Sequence, residues 1–270
     1  MSARIDDLPS LEAVCELARR AAAAILEVYA RDDFDVRQKG DQSPLTAADL
    51  ASHRIIVDGL RALTSDIPVL SEESAGIDWA TRRAWPRYWL VDPLDGTREF
   101  IKRNGEFTVN IALIDHHRSA MGVVQVPVTG DLYAASVNDG AFVCRGGMPT
   151  REALQVRCAA TPLVIAGSRS HGNERQRALL ANLGDYTTVA MGSSLKFCLI
   201  ASGAADLYLR AGPTSEWDTA AAQCVLEQAG GAVMRLDGVP LAYNTKESLL
   251  NPEFLAVGDV TCDWPALLAI

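Results

Sequence analysis

The sequence lacks any uninterrupted apolar stretch of the length that crosses a bilayer, although hydrophobic residues make up 49% of its 270 residues. Such a helix needs about 20 consecutive apolar residues, so no transmembrane segment is predicted. The first nine residues contain Asp6 and Asp7 and no apolar core, so no signal peptide is expected either.

Metal-binding sulfur and nitrogen are also sparse. The six cysteines are widely spaced and never occur as C-x-x-C, which argues against a zinc site and against a disulfide framework. Reduced thiols in a cytoplasmic compartment are therefore expected. With only four histidines in the chain, oxygen ligands are the better candidates for any metal site.

The chain also has no excess of basic residues, because its formal net charge is -9. A chain with this balance is not expected to bind nucleic acid or an anionic membrane through bulk charge. If its substrate is an anion, a metal cluster or a small basic pocket must reverse the sign locally.

The predicted elements divide the chain into two halves, residues 1–157 and 158–270. Ser10 and a stripe of apolar residues predict a helix over Leu11–Tyr29, and a second helix is predicted from Thr46 to about Leu63. Strands are then predicted over residues 68–70, 88–91, 107–114, 120–126, 132–136 and 141–144. In the second half, strands (163–166, 206–210, 254–257) alternate with helices (174–182, 193–201, 216–229), which is typical of an α/β fold.

Five acidic residues stand at the ends of predicted elements or in first helical turns: Asp49, Glu72, Asp92, Asp95 and Asp218. Because like charges repel at contact distance, bringing these carboxylates together without a cation would be costly. Carboxylates with a backbone carbonyl suit Mg²⁺ or Mn²⁺ rather than zinc or copper. Two such ions would clamp the attacking and leaving oxygens of a displacement at phosphorus.

The segment 92–97 is the most informative of the acidic segments. Pro93 fixes a backbone angle after Asp92, and Asp95 then returns to the same side of a tight turn. Gly96 permits a close approach of the backbone to a phosphate, and the Thr97 hydroxyl could orient a water molecule.

Two further segments are candidates for substrate contacts. Residues 167–171 follow a predicted strand and include Ser170 and His171. Gly192 and Ser193 open a predicted helix, whose first N–H groups are a natural phosphate site. Lys196 and Arg210 add positive charge.

Each of these segments also has an ordinary structural explanation. Thr46 and Asp49 form the pattern of a capping box, and serines at helix starts are common caps. Segment 92–97 fits a plain turn, Glu72 a solvated loop, and Asp218 a charge favoured by a helix N-terminus. His53 and His171 fit satisfied surface or core histidines. All of these explanations must hold together for the functional interpretation to fail.

Taken together, the residues resemble the inositol monophosphatase-like family of metal-dependent, lithium-sensitive phosphatases. The resemblance rests on the segment 92–97, DPLDGT, with the later pair Trp217-Asp218. It is closer to the 3'(2'),5'-bisphosphate nucleotidase branch, through residues 39–49 (KGDQSPLTAAD), 92–114, 168–171 (SRSH), 192–198 (GSSLKFC), 212–221 (GPTSEWDTAA) and 250–254 (LNPEF).

The resemblance implies a layered α-β-α-β-α fold of the inositol monophosphatase and fructose-bisphosphatase type. It implies hydrolysis of adenosine 3',5'-bisphosphate to AMP and phosphate, a clearing step in sulfate assimilation. It implies two Mg²⁺ ions with room for a third, and inhibition by Li⁺. The implied metal ligands are Glu72, Asp92, the Leu94 carbonyl, Asp95 and Asp218.

By the same resemblance, Asp49 and Thr97 orient the attacking water and Glu72 assists them. The implied substrate-binding residues are Glu72, Leu94, Asp95, Gly96, Thr97, Ser170, His171, Gly192, Ser193, Lys196, Arg210 and Asp218.

Two alternatives stay open at this point. The same chemistry suits an inositol phosphate, a sugar bisphosphate or NADP, and a nucleotide-binding sensor would keep the site without the reaction. The sequence also leaves open the oligomeric state and the use of the sulfated nucleotide. Association with the cytoplasmic face of the inner membrane is an expectation from the resemblance alone.

Overall fold

The two larger β-sheets alternate with three layers of helices. The computed structural model describes residues 7–31, 37–38, 44–167 and 173–270. The helices of this part are α1 (Leu11–Tyr29), α2 (Ala47–Leu63), α3 (Trp79–Arg82), α4 (Thr97–Ile101), α5 (Glu174–Leu180), α6 (Leu195–Ala201), α7 (Ala220–Gln228) and α8 (Trp264–Leu267). Short 3-10 helices cover Glu72–Ser74, Ala181–Leu183 and Glu216–Asp218.

The strands of the described part fall into three sheets. In chain order they are β1 (Arg37–Gln38), β2 (Pro44–Leu45), β3 (Val69–Ser71), β4 (Arg87–Asp95), β5 (Thr108–Asp115), β6 (Arg118–Gln125), β7 (Leu132–Ser136), β8 (Gly140–Cys144), β9 (Arg151–Ala153), β10 (Leu163–Gly167), β11 (Tyr186–Ala190), β12 (Leu207–Arg210), β13 (Ala232–Arg235) and β14 (Phe254–Val257). The large sheet runs β3-β4-β5-β6-β7-β8-β9, with β3 parallel to β4 and antiparallel pairing beyond it. The second sheet runs β11-β10-β12-β14-β13, and β1 pairs only with β2 among these strands.

Three apolar clusters fill the spaces between the layers. On β4, Trp89 and Val91 pack with α1 and α2 against one face of the large sheet, while Tyr88 and Leu90 face the opposite way. That opposite face packs on α6 and α7, which also cover the second sheet. The outer face of the second sheet packs on α5 and α8. The order of layers is therefore α-β-α-β-α, as predicted.

Helix α1 forms where its sequence pattern places it. Ser10 lies at the N-cap, and its side-chain oxygen accepts a hydrogen bond from the Ala13 N–H at 3.3 Å. The predicted stripe is buried: Leu11, Val14, Ala18, Ala21, Ile25 and Val28. This stripe is what holds the helix on the sheet, because burying an aliphatic side chain contributes about 1.5–3 kcal/mol.

Several predicted elements differ from the structure. The helix predicted over 216–229 is two elements, the turn Glu216–Asp218 and then α7, and the helix predicted over 193–201 begins only at Leu195. Strands β9, β11 and β13 were not predicted, because β9 and β11 are largely exposed and none shows a clear apolar alternation. The boundary near residue 157 stays a prediction, although it falls between β9 and β10.

Two further predictions concern the pairing of the cysteines and the hydropathy of the helices. All six cysteines lie in the described residues and are unpaired. No helix among the described residues combines the length and the hydropathy that a bilayer crossing requires.

Candidate active site

Strand β4 ends in a bulge that turns two carboxylates toward one side. Asp92 pairs with Asn110 on β5 and Asp95 pairs with Thr108, so the register shifts between them. A bulge of this kind redirects side chains at the end of a strand, and Pro93 needs no partner for a backbone N–H. The Leu94 N–H donates to Asp92 Oδ1 at 3.0 Å, which closes the turn.

Gly96 carries the chain from β4 into α4. Its φ is 93°, a conformation that favours glycine, and a Cβ there would lie 3.1 Å from the Glu106 carbonyl oxygen. The next residue, Thr97, begins α4. Its hydroxyl lies 3.3 Å from Asp49 Oδ1 and 3.4 Å from the Leu94 carbonyl oxygen.

Asp49 forms the capping box of α2 and also contacts Thr97. The Thr46 N–H and hydroxyl donate to Asp49 Oδ2 at 2.7 and 2.6 Å, and the capping box of α2 is complete. Its second oxygen, Oδ1, faces Thr97. One buried carboxylate, 1% exposed, therefore both caps the helix and accepts the Thr97 hydroxyl.

Two further carboxylates reach the same edge from other elements. Glu72 directly follows β3, whose carboxyl end lies beside that of the parallel strand β4. Asp218 ends the turn Glu216–Asp218 that precedes α7, and its Oδ2 accepts the Ser215 N–H at 2.9 Å.

Asp92, Asp95 and Asp218 each offer an oxygen, and these oxygens lie within 4.8 Å of one another. Burial raises the pKa of Asp92 well above its ordinary value, and the charges of Glu72, Asp95 and Asp218 raise it further. Burial and the Asp95 charge likewise raise the pKa of Asp218 well above its ordinary value. The pKa of Asp95 is also raised by burial, against the opposing effect of the Lys196 charge and of Ser194 hydrogen bonds.

These carboxylates fit a hard divalent cation. The donors are oxygens only, and the raised pKa values show that the cluster resists full ionisation without a counter-charge. An oxygen-only set of this kind suits Mg²⁺.

A cleft of about 680 Å³ opens beside the cluster and includes Asp95 and Asp218 in its wall. Lys196 is 6% exposed, and its ammonium donates to the Ser193 carbonyl at 2.5 Å. Burial lowers the pKa of Lys196 to about 8, while the Asp95 charge opposes that effect. Arg210 donates to the Gly212 and Pro213 carbonyls at 3.2 and 2.7 Å, which fixes its guanidinium at the cleft wall.

The structure brings most of the predicted site residues to this cleft: Asp95, Gly96, Thr97, Gly192, Ser193, Lys196, Arg210 and Asp218. Glu72 and Leu94 do not line it, although Glu72 hydrogen-bonds Asp92 and the Leu94 carbonyl faces Thr97. Ser170 and His171 lie outside the described residues. His53 has an ordinary role, with Nδ1 at 2.9 Å from the Ser71 hydroxyl.

Several residues at the site were not predicted from the sequence. Asn173, Phe197, Tyr208 and Leu250 also line the cleft. Ser194 contacts Asp95 directly through its N–H and its hydroxyl. Ser194, Phe197 and Leu250 lie in segments that carry the family resemblance, but their contacts at the site depend on the packing of distant elements.

Comparison with known proteins identifies relatives over nearly the whole chain. A sequence model of the inositol monophosphatase family matches residues 6–259. A protein of Escherichia coli K12 named 3'(2'),5'-bisphosphate nucleotidase CysQ is 53% identical over 245 residues, which are 90% of this chain and 98% of the relative. The protein of the same name from Salmonella typhimurium is 51% identical over the same shares.

Solved structures agree with this assignment. The crystal structure of CysQ from Bacteroides thetaiotaomicron, described as a bacterial member of the inositol monophosphatase family, superposes with a TM-score of 0.82 and 40% identity. The match covers 92% of this chain and 96% of that one. An IMPase from Thermotoga maritima shares the fold, with a TM-score of 0.78 at 21% identity over 96% of both chains. The layered fold predicted from the sequence is thus confirmed, and the chain belongs to the inositol monophosphatase family.

Proposed function

We propose that this chain hydrolyses adenosine 3',5'-bisphosphate to AMP and phosphate with the help of Mg²⁺. The observation that carries the proposal is the pairing of an oxygen-only carboxylate cluster with two cationic side chains, Lys196 and Arg210, in one cleft. A bisphosphate has two anionic groups. Mg²⁺ held by the carboxylates would neutralise one of them, and Lys196 with Arg210 would neutralise the other.

The relatives support a nucleotide rather than an inositol phosphate. Proteins that are 51–54% identical over 90% of the chain bear the name bisphosphate nucleotidase. The inositol monophosphatases among the solved structures are 21–24% identical, which supports only the fold.

The residues of the site would divide the work between binding and orientation. Asp92, Asp95, Asp218, Glu72 and the Leu94 carbonyl would hold Mg²⁺. When bound, Mg²⁺ would supply the positive charge that a phosphate needs in this acidic cleft and would make a water molecule more acidic. The presence of a second or third ion and inhibition by Li⁺ stay predictions.

Asp49 and Thr97 would orient the attacking water. Because the Thr97 hydroxyl lies 3.3 Å from Asp49 Oδ1, the carboxylate can accept a proton that passes through the hydroxyl. The water oxygen forms the new bond to phosphorus and its proton passes to Asp49. The bond from phosphorus to the ribose 3' oxygen breaks, and that oxygen takes a proton from solvent water to become the 3'-hydroxyl of AMP. By the resemblance to the family, Gly96 and Thr97 at the start of α4 would contact the scissile phosphate.

The substrate assignment is tested by kcat/KM for adenosine 3',5'-bisphosphate, its sulfated analogue and inositol 1-phosphate in the presence of Mg²⁺. The proposal predicts clear preference for the nucleotide. Release from inositol 1-phosphate alone would keep the metal site and overturn the substrate. Nucleotide binding without phosphate release would instead support a sensor. A cytoplasmic location stays a prediction.

A further inference from the structure

Ser194 lies between two segments that each carry a carboxylate of the cluster. It is 1% exposed, and its N–H donates to Asp95 Oδ2 at 2.7 Å. Its hydroxyl oxygen lies 2.9 Å from the same Asp95 oxygen and 2.7 Å from the Asp218 carbonyl oxygen. One side chain therefore joins the end of β4 to the turn that precedes α7.

The hydroxyl is not used as an ordinary helix cap. Ser194 directly precedes α6, but its backbone is already helical, with φ -65° and ψ -7°, and its side chain makes no capping hydrogen bond. A serine that caps a helix has an extended backbone and accepts an N–H of the first turn. The position of Ser194 thus needs another explanation.

Asn110 fixes the direction of the Ser194 hydroxyl. The Asn110 Nδ2–H donates to Ser194 Oγ at 2.8 Å, and Asn110 pairs with Asp92 across the β4–β5 ladder. This bond occupies one lone pair of Oγ, and the single hydroxyl hydrogen is shared between Asp95 Oδ2 and the Asp218 carbonyl oxygen. Asn110 and Ser194 therefore link the two segments that carry the cluster, the end of β4 with Asp92 and Asp95 and the turn with Asp218.

Ser194 holds Asp95 through one oxygen, and the Asn110 side chain also hydrogen-bonds this carboxylate. Both contacts from Ser194 go to Oδ2, so they help to set the orientation of the carboxylate. Partners that hydrogen-bond a metal ligand in this way typically contribute about 10–100-fold to metal affinity, because they hold the ligand in its binding orientation.

We propose that Ser194, oriented by Asn110, is a positioning residue that sets the spacing of Asp95 and Asp218 and thereby the affinity of the site for Mg²⁺. The inference rests on the metal site of the proposed function, but it does not depend on which phosphate ester is the substrate.

The test compares Ser194→Ala with a matched serine of the same helix. Ser202, at the other end of α6, donates its hydroxyl to the Leu199 carbonyl at 3.0 Å and lies away from the cluster, so Ser202→Ala is the control. The dissociation constant for Mg²⁺ is measured by calorimetry on the full chain after removal of metal with EDTA. Circular dichroism and the melting temperature without metal report on the fold.

We expect Ser194→Ala to raise the dissociation constant about tenfold or more, and Ser202→Ala to leave it unchanged. Asn110→Ala should weaken Mg²⁺ binding as well. Because Asn110 acts partly through the Ser194 hydroxyl and partly on Asp95 directly, the double variant should show less than the sum of the two single effects.

A folded Ser194→Ala protein with an unchanged dissociation constant would overturn the inference. If Ser194→Ala does not fold, Asn110→Ala decides the question, and unchanged binding in that variant would overturn it equally. Failure of the unchanged protein to bind Mg²⁺ would overturn the metal site itself and this inference with it, whereas a different preferred ester would overturn only the substrate.

Discussion

Removing the charge of Asp92 should abolish activity and yet stabilise the metal-free protein. Asp92 is 1% exposed and lies in a cluster whose oxygens are within 4.8 Å of one another. Asp92→Asn removes one charge from this cluster. Its side-chain oxygen can still accept the Leu94 N–H, so the turn after β4 keeps its hydrogen bond.

The size of the effect follows from the distances. Two unit charges 4.8 Å apart repel by about 3 kcal/mol at an effective dielectric constant near 20. The carboxylates relieve part of this repulsion by taking up protons, so we expect a net stabilisation of about 2 kcal/mol in Asp92→Asn. For a chain of this size, that corresponds to a rise in melting temperature of roughly 4–8 °C.

The effect should depend on pH in a defined direction. Burial and neighbouring charges raise the pKa of Asp92 in the folded state, so its contribution to stability is fully present below the unfolded pKa of about 4. That contribution is lost as the pH rises through the higher folded pKa. Asparagine does not titrate, so the advantage of Asp92→Asn should be large at neutral pH and should disappear in acid.

The assay is calorimetric melting in EDTA at several pH values, together with phosphate release in Mg²⁺. Asp58→Asn, at an exposed position of α2, is the matched control and should change neither quantity. A lower melting temperature of metal-free Asp92→Asn at neutral pH, or a difference that does not vary with pH, would refute the electrostatic argument. Retained phosphate release would refute the role of Asp92 as a ligand.

Three other changes test separate parts of the site. Thr97→Val should lower kcat by about 10²-fold in steady-state assays, because it removes the hydroxyl beside Asp49, whereas Thr97→Ser should keep most activity. Gly96→Ala should destabilise the protein to urea by more than about 1 kcal/mol, because φ is 93° and the Cβ approaches a carbonyl, whereas Gly76→Ala, with open space around it, should not. Lys196 is cationic below its pKa of about 8, so the KM for the bisphosphate should rise as the pH passes 8. Lys196→Met should have a high KM that does not depend on pH in this range. Three results would contradict these expectations: equal kcat in both Thr97 variants, equal urea midpoints in both glycine variants, or a KM of the native protein that does not change across pH 8.

Local sequence patterns predicted the helices and strands whose caps and buried residues lie within their own sequence. Helix α1 has a cap and a buried stripe within its own sequence, and its bounds are as predicted. Strands β7 and β14 also have the predicted bounds, because their residues are buried throughout. The helix predicted over 216–229 was wrong in its first turn. Residues 215–219 are held there by hydrogen bonds with Leu249 and Asn251, which are long-range contacts that no local pattern encodes.

The candidate site shows the same division. The acidic residues could be predicted because the cost of placing carboxylates together points to a cation. The double role of Asp49 could not be decided from the sequence, because the capping box is real and only the fold shows that its second oxygen faces Thr97. Ser194 was passed over in favour of Ser193, because its contacts lie on segments distant in the chain.

We propose that the carboxylate cluster makes this chain a Mg²⁺-dependent phosphatase for adenosine 3',5'-bisphosphate. The most direct test is phosphate release from that nucleotide by metal-stripped protein, before and after Mg²⁺ is added and again after excess EDTA. We expect no release without metal, rapid release with Mg²⁺, and loss of that activity in EDTA. Release that does not depend on Mg²⁺, or no release under any of the three conditions, would contradict it.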